Sequence, residues 1–156
     1  MQDATRTDFG LLLAQAFNMY VDHLHRELAR HGFLDLRPTF GLALRALHAR
    51  PRTLTELAGE LGVTKQAAAK VVGELAGRSL IEREPSPADG RSTLLRLSPR
   101  GKSLVAAAIR IGNAVERDLA RGLGDGAAAH VRDGLERLAY EPPWSGAPPA
   151  RARRVW

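Results

Sequence analysis

The stretch 54-LTELAGELGVTKQAAAKVVGEL-75 decides how the rest of the chain is read. Leu54, Leu57, Ala58 and Leu61 fall at the i, i+3, i+4, i+7 spacing of one apolar helical stripe, and Ala68, Val71, Val72 and Leu75 repeat it. Between the stripes stand Gly62, Val63 and Thr64. Glycine tolerates the positive φ of a sharp helix exit, and threonine is a good N-cap for the helix that follows. Upstream, Thr53-Leu54-Thr55-Glu56 has the form of a capping box, which places the start of the first helix. Two short helices joined by a glycine-containing turn form a helix-turn-helix. Ala58 falls at the expected crossing of the two helices, where a larger side chain would overpack at a cost of roughly 1–3 kcal/mol.

The face of the second helix opposite its stripe carries Gln66, Ala69, Lys70 and Gly73, with Thr64 at its start and Lys65 on its flank. It has no acid and no bulky apolar group. Small residues let a helix sit deep in a major groove; glutamine can bond adenine edges, lysine guanine or phosphate, and alanine a thymine methyl. The same periodicity could serve an ordinary helical core, but the glycine turn, the small crossing residue and the basic outer face occur together.

Length and composition fit that reading. The 156 residues suit one domain with a sizeable core. With no cysteine, the chain has no disulfide, thiolate metal site or cysteine nucleophile. No apolar run reaches the roughly 18 residues of a membrane span and no signal region is evident, so a cytoplasmic location is expected. The formal net charge is +6, and residues 51–102 hold nine basic against six acidic side chains. A basic excess concentrated there favours phosphate contacts.

Outward from the centre, Phe9, Leu12, Leu13, Ala16, Phe17, Tyr20, Val21, Leu24 and Leu28 form a wide apolar stripe, predicting a long helix from Asp8 to about His31 that ends at Gly32. Asp35 is a plausible cap for a helix through about Ala49 that turns Phe40, Leu44 and Leu47 inward. After Leu75 the second helix of the motif should run to about Ser79. Leu80–Glu84 and Ser92–Leu97 read as two short strands around a PSPADGR turn, a hairpin wing. Arg91 near its tip is placed to reach a minor groove or a phosphate. Ser98-Pro99 opens a helix to about Gly122 with Leu104, Val105, Ala108, Ile111, Val115 and Leu119 inward. Asp125 is expected to cap a last helix to about Tyr140 with a thin stripe of Val131, Leu135 and Leu138. The fold class expected is mainly α with a small β-hairpin wing. The expected organisation is an N-terminal dimerisation helix (1–34), a winged helix-turn-helix (35–100), C-terminal dimerisation helices (101–140) and a flexible basic Pro-rich tail (141–156). Dimerisation is inferred from terminal stripes wider than a small central domain can cover.

This order of elements, with LDLRPTFGLALRAL, LTELAGELGVTKQAAAKVVGELAGRSLIERE and ADGRSTLLRLSPRG, resembles the MarR family of winged helix-turn-helix transcriptional regulators over roughly Asp8 to Tyr140. The resemblance implies a homodimer on a palindromic double-stranded DNA operator, often as a repressor, released when a small anionic or phenolic effector enters a cleft. It implies that Arg91 enters the minor groove and that Asp89 helps hold it, and it puts Tyr20, His23 and Arg45 near the effector cleft. The chain departs from the family in having Ser79 where glycine usually follows the recognition helix, with Gly77 two residues earlier, and Gly90 where a second wing arginine is usual.

Enzymatic chemistry finds no foothold. His23 and His25 are two apart on a helix and do not share a face, and no HExxH, P-loop, dinucleotide fingerprint or nucleophile elbow exists. No catalytic residue, metal site or cofactor is expected. A winged-helix module serving protein contacts is the alternative, but its outer helix face should be acidic or apolar.

Overall fold

In the computed structural model, which describes residues 8–85 and 92–141, the chain divides into two compact units, Met1–Leu36 and Arg37–Trp156. The wing tip with Asp89 and Arg91, and the tail expected to be Pro-rich and flexible from residue 142 on, lie outside the described residues.

The first unit is built on α1 (Phe9–Arg30). Its start is set by Asp8, whose carboxylate accepts the Gly10 and Leu11 amides at 2.9 and 3.2 Å, satisfying two of the four donors a helix leaves open. Its end is set by Gly32, at φ +80°. Beyond the turn, the Phe33 amide bonds the Leu28 carbonyl at 3.0 Å, and both side chains are buried. Toward the N-terminus the wide stripe is uncovered: Phe9, Leu12, Leu13, Phe17 and Tyr20 are all exposed.

The second unit begins with α2 (Pro38–Ala49), which buries Phe40, Ala43, Leu44, Ala46 and Leu47. Asp35 does not cap it. The N-cap is Arg37, with no side-chain cap bond, and Asp35 itself sits at φ +54°. The physical reason is Pro38: a residue before proline is pushed out of the α region, so the helix boundary falls between Arg37 and Pro38. After the Arg50-Pro51 break come β1 (Arg52–Thr53) and α3 (Leu54–Leu61). The capping box forms as expected, with the Glu56 amide on Thr53 Oγ1 at 3.2 Å and the Glu56 carboxylate accepting the Thr53 amide at 2.7 Å. The bonds from the Thr53 amide and hydroxyl, then from Arg50, hold the Glu56 carboxyl below the usual glutamate range.

The glycine turn behaves as its residues dictate. Gly62 takes φ +65°, and the Val63 amide returns to the Ala58 carbonyl at 3.1 Å. Thr64 then caps α4 (Lys65–Gly77) through the Ala67 amide at 3.2 Å. α4 stops two residues short of Ser79, and the left-handed position is Ser79 itself, at φ +56°, rather than Gly77. β2 (Ile81–Pro85) and β3 (Thr93–Leu97) pair antiparallel from Ile81 opposite Leu97 to Pro85 opposite Thr93. The sheet order is β1-β3-β2, so β3 is central. β1 was not anticipated: at two residues between Pro51 and the capping box it is too short to show a period. Ile81, Leu95 and Leu97 turn into a core whose largest fully buried members are Phe40, Leu57, Val72, Leu75 and Leu80.

α5 (Pro99–Leu123) is capped by Ser98, with Pro99 at its first position. Its buried side runs from Gly101 through Leu104, Val105 and Ala107 to Ile111; farther on, Leu119 and Leu123 are exposed. α6 (Asp125–Tyr140) pairs with α5 through Arg132 and Glu116 but buries no side chain. Gly124, not Asp125, is its N-cap, because the Gly124 carbonyl already accepts the Ala128 amide at 3.1 Å. Asp125 lies in the first turn, where its charge still suits the helix dipole.

Candidate nucleic-acid interface

α4 is held by its inner stripe. Ala68 and Leu75 are fully buried and Val72 is nearly so, which fixes the rotation of the helix and therefore which residues face out. Thr64, Lys65, Gln66, Ala69, Lys70 and Gly73 are all exposed. Gln66, Ala69, Lys70 and Gly73 follow the i, i+3, i+4, i+7 spacing of one face. Among the described residues neither Lys65 nor Lys70 has an ion-pair partner. An unpaired ammonium on a small-residue face stays available to an outside anion.

The one acid of α4, Glu74, borders that face one turn from Lys70 and is held by a cation. Glu74 is bonded by Arg37, at the N-cap of α2, at 3.1 Å. Arg78 donates to the Glu74 carbonyl at 3.3 Å and lies over the Phe40 ring, 5.2 Å from its centroid. These contacts tie α4 to α2 and pair its one acid with Arg37. α3 is braced separately. Arg52 donates to the Ala46 carbonyl at 3.1 Å and pairs with Glu60 at 2.8 Å, and Arg50 pairs with Glu56 at 3.0 Å. Exposed pairs of this kind add at most about 1 kcal/mol each, so their role is geometric.

In the hairpin, Arg96 of β3 bridges Glu82 and Glu84 of β2 at 2.9 and 3.1 Å, which neutralises it. Arg83 differs. Its register partner is the buried Leu95, so it stands on the core-side face of the hairpin, yet it is exposed and has no ion pair among the described residues. Sequence reasoning passed over Arg83 because LIERE was read only as a strand. The available signal was its alternation with Ile81, which puts a cation where the apolar face runs out. Tyr20 and His23 lie one turn apart on α1, in the first unit, the former exposed and the latter half-buried; Arg45 is exposed on α2, in the second. No group of three or more His, Asp or Glu among the described residues is placed to hold a metal, and no helix among them is long and apolar enough to cross a membrane.

Residues 34–92, which contain α2, β1, α3, α4 and β2, match the model of the MarR family. The transcriptional regulator HosA of Escherichia coli O111:H- is 30% identical over 95 residues, a span covering 60% of this chain and 70% of HosA. The chain belongs to the MarR family. Among solved MarR-like structures, the transcriptional repressor CouR bound to a 23-mer DNA duplex superposes with a TM-score of 0.67 at 28% identity, covering 85% of this chain and 92% of CouR. A probable transcriptional regulator from Pseudomonas aeruginosa superposes at 0.63 with 29% identity, covering 84% and 96%. The chain is thus a MarR-family, DNA-binding transcriptional regulator with a winged helix-turn-helix.

Proposed function

We propose that this regulator binds a palindromic operator as a homodimer, with α4 in the major groove and the wing in the minor groove, and that it represses transcription from that site in the cytoplasm. One observation carries the reading: α4 presents an exposed, small, acid-free face whose polar groups are Gln66 and Lys70, with Thr64 and Lys65 at its entrance. Those two central side chains supply base readout; Lys65, Arg83 and the wing supply phosphate or groove contacts. Arg91 is the minor-groove residue and Asp89 its support. CouR, similar in fold, is held on a duplex as a repressor, which supports the same docking.

Two such units on a palindrome require a dimer. The uncovered apolar side chains of α1, together with Leu119, Leu123, Val131 and Leu135 on α5 and α6, support one. In this reading residues 1–34 and 101–140 serve dimerisation and residues 35–100 bind DNA. A small anionic or phenolic effector releases the operator.

The test is to select duplexes from a randomised pool, then measure affinity for the selected site and for a scrambled one. Lys70→Ala and Gln66→Ala should each weaken binding to the selected site by about 1–3 kcal/mol and relax base preference. Arg83→Ala should weaken binding evenly across sequences and lower its salt dependence. Unchanged affinity in all three variants at low salt, or sedimentation as a monomer at micromolar concentration, overturns the assignment.

A further inference from the structure

Where α4 ends, the second unit is joined in an unusual way. Ser98 is the one buried polar side chain among the described residues, 5% exposed. Its hydroxyl accepts the Gly101 amide at 3.0 Å, the ordinary cap of α5. A hydroxyl has one proton to give as well, and this one goes to the Ser79 carbonyl at 2.6 Å, across nineteen residues of sequence. The Ser98 amide donates to the next carbonyl, that of Leu80, at 3.1 Å. On the other side of that carbonyl lies Gly101, so close that a Cβ there would stand 2.0 Å from the Leu80 oxygen. The first turn of α5 therefore grips two successive carbonyls just past the end of α4.

The gripped residue is also the strained one. Ser79 holds φ +56°, a conformation that residues with a Cβ adopt reluctantly and keep only when the surroundings impose it. The Ser79 amide returns to the Ala76 carbonyl at 2.8 Å and the Leu80 amide to the Leu75 carbonyl at 2.9 Å. Those bonds close the last turn of α4 from within the segment. Ser98 is the contact from outside it. The direction in which β2 leaves α4, and hence the angle between the reading helix and the wing, is set at this point.

We propose that Ser98 is a positioning residue for DNA reading: by holding Ser79 in its left-handed conformation, it fixes the direction in which the wing hairpin leaves α4. This rests on the reading of α4 as the DNA-contacting helix. Ser98 touches no DNA. It acts on how well two separate contact surfaces fit one duplex together, which governs sequence discrimination more than non-specific attraction to phosphates.

The experiment uses the full chain, the duplex selected from the random pool and its scrambled counterpart, with the ratio of the two affinities as readout. Ser98→Ala should lower that ratio roughly tenfold, mostly through loss on the selected duplex. Ser98→Thr, which keeps both the donor and the acceptor, should restore the ratio. Ser79→Gly makes the left-handed turn intrinsically allowed, so Ser98→Ala should cost less discrimination in that background than in the wild type. If Ser98→Ala does not fold, Ser98→Cys, which keeps the size but is a weaker donor and acceptor, takes its place in the same comparisons with and without Ser79→Gly. A role confined to stability would lower the melting temperature and leave the ratio unchanged in folded protein, and that result overturns the proposal. Equal losses with and without Ser79→Gly overturn it too. A wild type that enriches no duplex from the pool would sink the underlying DNA reading instead, a result distinct from an unchanged ratio.

Discussion

Gly73 in α4 and Gly101 in α5 both sit inside helices of the same unit, where glycine is unfavourable by roughly 1 kcal/mol relative to alanine. Their surroundings are opposite. A Cβ at Gly101 would lie 2.0 Å from the Leu80 carbonyl oxygen and 3.0 Å from its carbon, whereas a Cβ at Gly73 would meet nothing within 4 Å. At the start of α5 the protein needs the glycine for its own packing, because backbone approaches backbone there. On the outer face of α4 nothing inside the chain needs it. Other helical glycines, Gly41, Gly59, Gly77 and Gly122 among them, are equally open, so what singles out Gly73 is its place beside Gln66 and Lys70 on the face proposed to meet DNA.

The largest effect that contrast predicts is for Gly101→Ala. The clash is with backbone, so no flexible side chain can yield, and the first turn of α5 must pull away from Leu80. Stability should fall by roughly 3 kcal/mol, the upper end of overpacking costs, measured by urea unfolding. A loss below about 0.5 kcal/mol would mean that the α4–α5 junction relaxes easily, and the contrast between the two glycines would collapse.

Gly73→Ala should act in the other direction on the fold and against it on DNA. Unfolding should become harder by about 1 kcal/mol, while affinity for the selected duplex drops roughly tenfold as the added methyl meets the groove wall, a cost of the size expected for overpacking. Opposite signs in melting and gel-shift measurements on one protein are the result to look for. Gains in both would show that nothing approaches Gly73.

The same contrast explains what was readable in the sequence. Local chemistry was: the Thr53–Glu56 box, Gly62, Thr64, Ser98-Pro99 and the buried stripes of α2, α3 and α4 all occupy the structural positions that their residue types demand. Residues whose role depends on a distant partner were not. Gly101 is part of the Ser-x-x-Gly opening of α5 that the family resemblance marks, but why glycine is needed there shows only when Leu80 is seen against it. Ser98 reads as a cap, and its second bond to Ser79 has no local signature. Asp35 and Asp125 failed as caps for a simpler reason: Pro38 and Gly124 fixed the boundary first. For the candidate interface, the outer face of α4 followed from periodicity alone, but that Glu74 is drawn to Arg37 required the packing of α2. Arg83 required the strand register.

The smallest effect separates two helix caps that do similar work in different surroundings. The cap of α5 is buried and uses a hydroxyl, so it carries no charge to titrate. The cap of α3 is exposed and uses Glu56, whose carboxyl is held below its ordinary pKa by the Thr53 amide and hydroxyl and by Arg50. A carboxylate with a lowered folded-state pKa contributes stability that is fully present above the unfolded value and is lost as pH falls through the folded one. Glu56→Gln keeps a hydrogen-bonding side chain in the box but removes the charge. Wild type should therefore be slightly more stable than Glu56→Gln from neutral pH down to about pH 5, above the ordinary glutamate range, and the gap should close as the pH falls further. Urea midpoints taken at intervals across that range would show it. A gap that persists at the acid end would mean that the charge of Glu56 is not what the box depends on.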